Sequence, residues 1–130
     1  MVTVFLLRHD PDRVLLGRRS TAVRSYRGAW GAISGYLEGD PEQQARREIA
    51  EETGLTDEEV RLVRAGAPLA VLDEPAAVCW RVHPFLFEAL RPEVVRIDWE
   101  HSEFAWLAPE EIGGLETVPK LAEALRAVYP

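Results

Sequence analysis

The stretch ARREIAEETGL, residues 45–55, constrains this chain most, because it places three glutamates beside two arginines and ends at a glycine. In a helix, residues three and four apart share a face, so Glu48, Glu51 and Glu52 lie together. Ile49 lies beside them and turns one edge of this acidic face towards the core. Like charges at this spacing repel each other, and a bound cation relieves the repulsion. The stretch is therefore either a solvated amphipathic helix or a carboxylate set arranged for a divalent metal.

The ends of this helix are marked by residues that favour helix termini. Asp40 is the expected N-cap, Pro41 suits the first helical position, and Gly54 suits the C-cap. These signals predict a helix over residues 41–53. Within it, Arg47 is spaced to form an ion pair with Glu51.

The rest of the chain consists of apolar runs separated by turn-forming residues. Residues 2–9 and 14–20 predict a β-hairpin around the turn DPDR. Further strands are predicted at 29–35, 60–73, 76–90, 96–100 and 103–107, with a helical turn at 109–112 and a closing helix at 118–129. With 130 residues, the chain is expected to form a single domain, 1–130, with a mixed α/β sandwich fold.

Charge and cysteine content narrow the function classes. The 22 acidic residues against 15 basic ones give a net charge of −7, which argues against stable nucleic-acid binding or an anionic membrane surface. No apolar run approaches the ~18 residues of a membrane span, and the start MVTVFLLRHD does not resemble a signal peptide. We therefore expect a cytoplasmic protein. Cys79 lies in an apolar run and is expected to be a buried, inert thiol.

The helix sequence also matches a known family pattern. REIAEETGL resembles the second half of the Nudix box, R-E-U-x-E-E-x-G-U, where U is aliphatic. The matching residues are Arg47, Glu48, Ile49, Glu51, Glu52, Gly54 and Leu55. Upstream, SGYLEGDPEQQA resembles the glycine-led loop that enters the same helix. The resemblance implies a Nudix hydrolase with an α/β/α sandwich, in which helices flank a mixed β-sheet.

The loop departs from the family pattern. It is about two residues shorter than the usual form, so that Gly35 matches the leading glycine, Glu38 the loop glutamate and Gly39 the second glycine. One further family glutamate is either lost or replaced by Asp40, and the N-cap role is the favoured interpretation of Asp40. The departure concerns catalytic competence more than the fold.

The resemblance also implies a reaction and a metal. Water attacks a phosphorus and breaks the pyrophosphate bridge of a nucleoside diphosphate linked to another group, with Mg²⁺ or Mn²⁺ bound by oxygen ligands. Glu48 and Glu52 would be direct ligands, Glu51 a ligand or close support, and the Ser34 carbonyl a further ligand. Arg47 would orient the carboxylates, so Arg47, Glu51 and Glu52 form part of the predicted catalytic set.

A general base, or one more metal ligand, is expected from a later loop. The segment WEHSEFAWL resembles the E-H-x-x-aromatic-x-W-L pattern found before the closing helix in several Nudix enzymes, and this match favours Glu100 over Glu103. The alternative is that both glutamates face solvent beside a strand. His101 is interpreted as a neighbouring polar residue.

Substrate contacts are expected from arginines and from the glycine-led loop. Because a strand alternates its faces, only one of Arg18 and Arg19 can point to the site, and a guanidinium pairs well with phosphate. The predicted substrate-binding residues are Arg19, Arg27, Gly35 and Glu38. Trp30 and Trp99 are candidates for stacking on a base.

Two other interpretations stay open. The chain could be a Nudix-fold module that binds nucleotides or regulates another process, which the shortened loop favours and the intact glutamate trio opposes. It could also be an unrelated α/β domain with an acidic helix. The expected partner is a nucleotide-derived small molecule, a homodimer is a further possibility, and the motif does not specify which derivative is used.

Overall fold

A computed structural model describes residues 1–129. The strands are β1 (Val2–Arg8), β2 (Arg13–Arg19), β3 (Trp30–Gly31), β4 (Ile33–Gly35), β5 (Val60–Ala65), β6 (Leu69–Asp73), β7 (Val78–Ala89) and β8 (His101–Leu107), and the helices are α1 (Pro41–Thr53) and α2 (Leu121–Arg126). Short 3₁₀ turns cover Asp57–Glu59, Pro92–Val94 and Pro109–Gly114.

The sheet is mixed and is organised around β1. In the described chain its main path runs β3-β2-β1-β7-β5, while β4 pairs with β1, β6 with β7 and β8 with β2. The predicted hairpin is confirmed, since β1 and β2 pair antiparallel with Leu7 opposite Val14. β1 runs parallel to β7, with Val4 opposite Phe85. Parallel pairing of strands so distant in sequence requires the intervening chain to cross over one face.

Strand β1 is buried on both faces, which gives the sandwich its two cores. Val2, Val4 and Leu6 pack with Ile49 of α1 in one core cluster. Phe5 belongs to the other cluster, together with α2 residues. Successive side chains of a strand point to opposite faces, so the two helices cover opposite sides of the sheet. The predicted α/β/α sandwich with a mixed sheet is confirmed.

The bounds of α1 agree with the prediction. Asp40 Oδ2 accepts a hydrogen bond from the Gln43 amide at 3.0 Å, and Gly54, with φ +81°, donates its N–H to the Ala50 carbonyl. A left-handed residue at this position favours glycine. In the described part of the chain, neither helix combines the length and apolarity that a membrane crossing requires.

Several predicted strand and helix limits were wrong. Residues 60–73 form two strands, because Pro68 has no N–H for the ladder. Residues 96–100 are not a strand, since Asp98 accepts the Glu100 amide and forms a local turn instead. The stretch 29–35 divides into β3 and β4, and the closing helix is shorter than predicted, Leu121–Arg126.

Cys79 is exposed, which corrects the prediction of a buried thiol. It lies on β7 opposite Leu72 of β6, and Leu72 is itself 53% exposed. Much of β6 and the first residues of β7 are exposed, so an apolar sequence there does not lead to burial.

We expect Asp40→Ala to lower the free energy of unfolding by about 1 kcal/mol, because the Gln43 amide loses its acceptor. Asp40→Asn should remain within a few tenths of a kcal/mol of the native protein, as asparagine caps equally well. Urea denaturation measures both variants. Equal losses in the two variants would contradict the cap and indicate that the charge itself matters.

Candidate active site

The last turn of α1 buries a carboxylate that has no partner. Glu52 is 5% exposed, and neither of its oxygens has a hydrogen-bond partner among the described residues. The side chain is buried because Ile49, on the neighbouring part of the helix surface, anchors α1 to the sheet. Buried polar groups without partners are rare and costly. This carboxyl group therefore needs either a proton or a cation.

Glu52 also borders a small cavity. The cavity has a volume of about 20 Å³ and is lined further by Gly17, His101 and Phe104. That volume is enough for one water-sized occupant. A buried carboxylate beside a space of this size fits a small ion.

Neighbouring carboxylates reinforce the effect of burial on Glu52. Burial, followed by the charge of Glu100, the contact with the Glu48 carboxyl group, and the charges of Glu48 and Asp98, raises the pKa of Glu52 to about 10. Burial is also the main reason why the pKa of Glu48 and that of Glu100 are raised. Without a cation, Glu52 therefore holds a proton at neutral pH.

Glu48 lies against the glycine-led loop. A Cβ atom at Gly35 would overlap the Glu48 carboxylate, so any larger residue there would displace it from this position. Glu48 Oε1 accepts a hydrogen bond from Gln44 Nε2 at 2.8 Å. The carboxylate is thus held between the end of β4 and the first turns of α1. The same loop carries Glu38, whose side chain is exposed.

Gln44 connects Glu48 to Arg47, and the sequence interpretation missed it. Arg47 Nη2 donates to Gln44 Oε1 at 2.6 Å and to the Glu38 carbonyl at 3.0 Å. These contacts replace the predicted Arg47–Glu51 ion pair, which does not form among the described residues. Gln44 is 6% exposed. Its spacing of three and four residues from Arg47 and Glu48 was the available signal.

The loop before β8 brings Glu100 to the buried carboxylate. The Ser20 amide donates to the Glu100 carbonyl at 2.8 Å, and Ser20 Oγ donates to the Trp99 carbonyl at 2.9 Å. Asp98 Oδ1 accepts the Glu100 amide at 3.2 Å and lies 3.2 Å from His101 Nδ1. Glu100 is partly buried in this position. Asp98 was not predicted, although its D-x-E spacing is typical of a local turn.

The glutamate trio is not a closed ligand set in this conformation. Glu51 is exposed, and its charge contributes to the raised pKa of Glu48 and of Glu100. Among residues 1–129, no three carboxylate, imidazole or thiol groups converge closely enough to hold a metal ion. Glu48 and Glu52 already lie within reach of each other, so what this conformation lacks, among the described residues, is a third converging ligand group.

A larger cavity adjoins this cluster through Ser34. It has a volume of about 130 Å³, and its lining includes Arg19, Tyr26, Ser34, Val71, Asp73 and Trp80. Arg19 Nε donates to the Ser25 carbonyl at 2.9 Å, and the charge of Arg19 partly offsets the raised pKa of Glu100. Arg19 therefore lies between the cavity and the carboxylates.

The remaining predicted contacts lie farther out. Arg18 is exposed and 3.4 Å from Glu103, in agreement with the alternation expected along β2. Arg27 is exposed and donates to the Val23 carbonyl at 2.7 Å. Trp30 packs against the α2-side core. Trp99 is 67% exposed, beside Glu100.

Comparison with known proteins identifies the family. The model of the NUDIX domain matches residues 1–130, so the chain belongs to the Nudix family. This match confirms the family assignment and the expected enzyme class, a Nudix-type pyrophosphohydrolase. A comparison with curated proteins finds no match.

Solved structures show the same fold. A Nudix hydrolase from M. smegmatis, RenU, has a TM-score of 0.78 and 21% identity, over 96% of this chain and 80% of that one. The C. elegans Ap4A hydrolase in a binary complex has a TM-score of 0.74 and 19% identity, over 97% and 90%. The NUDIX domain of Shewanella oneidensis NrtR, complexed with ADP ribose, has a TM-score of 0.66 and 18% identity, over 96% and 84%.

We expect Gln44→Ala to raise the Mg²⁺ concentration needed for half-maximal binding by about tenfold or more, since partners of metal ligands commonly contribute that much. Isothermal calorimetry measures the affinity. Gln43→Ala is the matched control, because Gln43 is exposed on the same helix turn. Equal affinities in the two variants would contradict a positioning role for Gln44.

We expect the stability of the chelated protein to fall as pH rises. The pKa of Glu52 is raised from its ordinary 4.5 to about 10 in the folded chain. The stability that the protonated group contributes is therefore complete below pH 4.5 and is lost progressively as the pH rises towards the folded-state pKa. The loss from one group is at most about 1.4 kcal/mol per pH unit. Urea denaturation from pH 5 to 8 in EDTA should give a shallower decline for Glu52→Gln than for the native chain. Parallel declines would be evidence against the buried proton.

Proposed function

We propose that this protein is a metal-dependent hydrolase that cleaves the pyrophosphate bond of a nucleoside diphosphate linked to another group. The observation that carries the proposal is the buried, unpartnered carboxylate of Glu52, with Glu48 and Glu100 close to it. A purely structural role does not account for three acidic groups gathered at a buried position. A function in which a cation and a phosphate group are bound together accounts for these three acidic groups.

The proposed metal ligands are oxygen atoms, as Mg²⁺ and Mn²⁺ prefer. Glu48 and Glu52 would hold the ion together with the Ser34 carbonyl, and Glu51 would support them from the exposed side. When bound, such an ion neutralises phosphate oxygens and acidifies water. Gly35 leaves space for the Glu48 carboxylate beside this group.

The protein groups divide the remaining tasks. Glu100 would accept a proton from the water that attacks phosphorus, while the bridging oxygen leaves with the second phosphoryl group. Arg47 would orient the carboxylates through Gln44 and the Glu38 carbonyl. Arg19 would contact the substrate phosphates as a guanidinium, and Arg27 is a more distant candidate.

The substrate class is supported by the relatives. The C. elegans protein is named as an Ap4A hydrolase, and the NrtR domain is complexed with ADP ribose. ADP ribose is a nucleoside diphosphate joined to a second group. We therefore assign a nucleotide-derived substrate to this chain.

A second candidate is a module that binds a nucleotide without cleaving it. The open arrangement of the glutamate trio and the shortened loop favour this function. The buried position of Glu52 weighs against it, because binding alone does not require an unpartnered carboxylate in the core.

The test is phosphate-product release from ADP ribose, Ap4A, nucleotide sugars and nucleoside triphosphates, with Mg²⁺, Mn²⁺ or chelator. We expect metal-dependent turnover by the native protein and a loss of at least about a hundredfold in Glu52→Gln, as expected for a group that holds the metal. Glu58→Gln is the control, because Glu58 is an exposed acid outside the cluster.

Each other outcome has a definite meaning. Turnover that persists in chelator, or in Glu52→Gln, would refute the metal site as assigned. Absence of turnover together with nucleotide binding would favour the binding module.

A further inference from the structure

The cavity of about 130 Å³ has the composition of a ring-binding site. Trp80, Val71, Val82 and Val118 supply its apolar walls. Tyr36, in the glycine-led loop, contacts the Trp80 ring with centroids 5.4 Å apart. Tyr36 is 65% exposed. The flat face of Trp80 favours a planar heterocycle, because nucleobases stack on aromatic rings.

Asp73 gives this apolar cavity an acceptor. Asp73 Oδ1 accepts a hydrogen bond from the Tyr26 hydroxyl at 2.9 Å and a longer one from the Ala76 amide. Both contacts fall on Oδ1, so within the described chain Oδ2 has no protein donor. An ionised carboxylate only accepts hydrogen bonds, so Oδ2 of the half-buried Asp73 is available to N–H groups of a ligand in the cavity.

The cavity lining also contains a hydrogen-bond donor. Lys120 lines the same cavity and only donates hydrogen bonds. Lys120 adopts φ +59°, in the region that non-glycine residues rarely occupy, just before α2. Lys120 is exposed, so its ammonium is available to a carbonyl acceptor of a ligand, while Asp73 is available to N–H donors.

We propose that this cavity is the base subsite of the substrate and that it selects guanine. Guanine offers N1–H and an exocyclic amino group side by side, followed by the O6 acceptor. Adenine offers a ring nitrogen acceptor at the equivalent edge position, and uracil offers a single N–H on a smaller ring. The proposal rests on the nucleotide-derived substrate of the preceding section.

The position of the cavity relative to the carboxylates fits this orientation. Ser34 belongs to the cavity lining and to the proposed metal ligands, and Arg19 lies between the cavity and Glu100. A base stacked on Trp80 therefore directs its ribose and phosphates towards Arg19 and the carboxylate cluster.

The test measures binding of free guanosine, adenosine, cytidine and uridine to the full chain in EDTA, by calorimetry and by tryptophan fluorescence. We expect guanosine to bind at least about tenfold more tightly than adenosine, since Asp73 Oδ2 can accept the N–H groups of guanine but would face the ring-nitrogen acceptor of adenine. Asp73→Asn should remove this preference, because an amide can pair with adenine. The Asn oxygen still accepts from Tyr26, so the hairpin is retained.

Two further variants locate the effect. Trp80→Leu should weaken binding of all four nucleosides by at least about tenfold. Asp57→Asn changes an exposed acid remote from the cavity and should leave guanosine affinity unchanged, and circular dichroism checks that each variant is folded. Equal affinity for all four nucleosides, or a guanosine preference that survives Asp73→Asn, would overturn the proposal.

These readouts are separate from hydrolysis. Guanosine preference that depends on Asp73 in a chain without turnover would support the subsite and refute the hydrolase. Metal-dependent turnover with no base preference would support the hydrolase and refute the guanine subsite.

Discussion

The burial of the Glu52 carboxyl group is the constraint around which the candidate site is built. Because α1 is anchored to the sheet through Ile49, Glu52 is carried into a position where both oxygens lack partners. An isolated charge there costs several kcal/mol, and the charge of Glu100 adds repulsion. The site is therefore incomplete without a proton or a cation, and this incompleteness links the fold to the proposed chemistry.

The glycine-led loop is tied to α1 by contacts of Arg47 and Gln44. Arg47 reaches back to the Glu38 carbonyl, and Gln44 joins Arg47 to Glu48 through two short hydrogen bonds. These bonds hold the loop, the guanidinium and one carboxylate as a single unit. Asp40 is left to cap the helix, which is the role that its position before a proline favours.

The elements whose bounds were predicted correctly are those fixed by interactions between residues close in sequence. The bounds of α1 follow from Asp40, Pro41 and Gly54, since capping acts within a single turn. The strand limits around 60–73 and 96–100 were wrong because a proline and an aspartate side chain interrupt pairing, and an apolar run does not reveal where pairing stops. Cys79 was misplaced for a related reason, since burial depends on what covers a strand.

By itself the sequence determined which residues share the acidic face of α1, where that helix begins and ends, and the family to which the chain belongs. Helical spacing and capping act over three or four residues, so they can be inferred without a fold. Only the tertiary structure decided that Glu100 approaches Glu52, that Gln44 lies at the centre of the network, and that Asp73 and Lys120 border one cavity. The physical reason is that these neighbours are set by strand pairing and packing between distant segments, which local spacing does not encode.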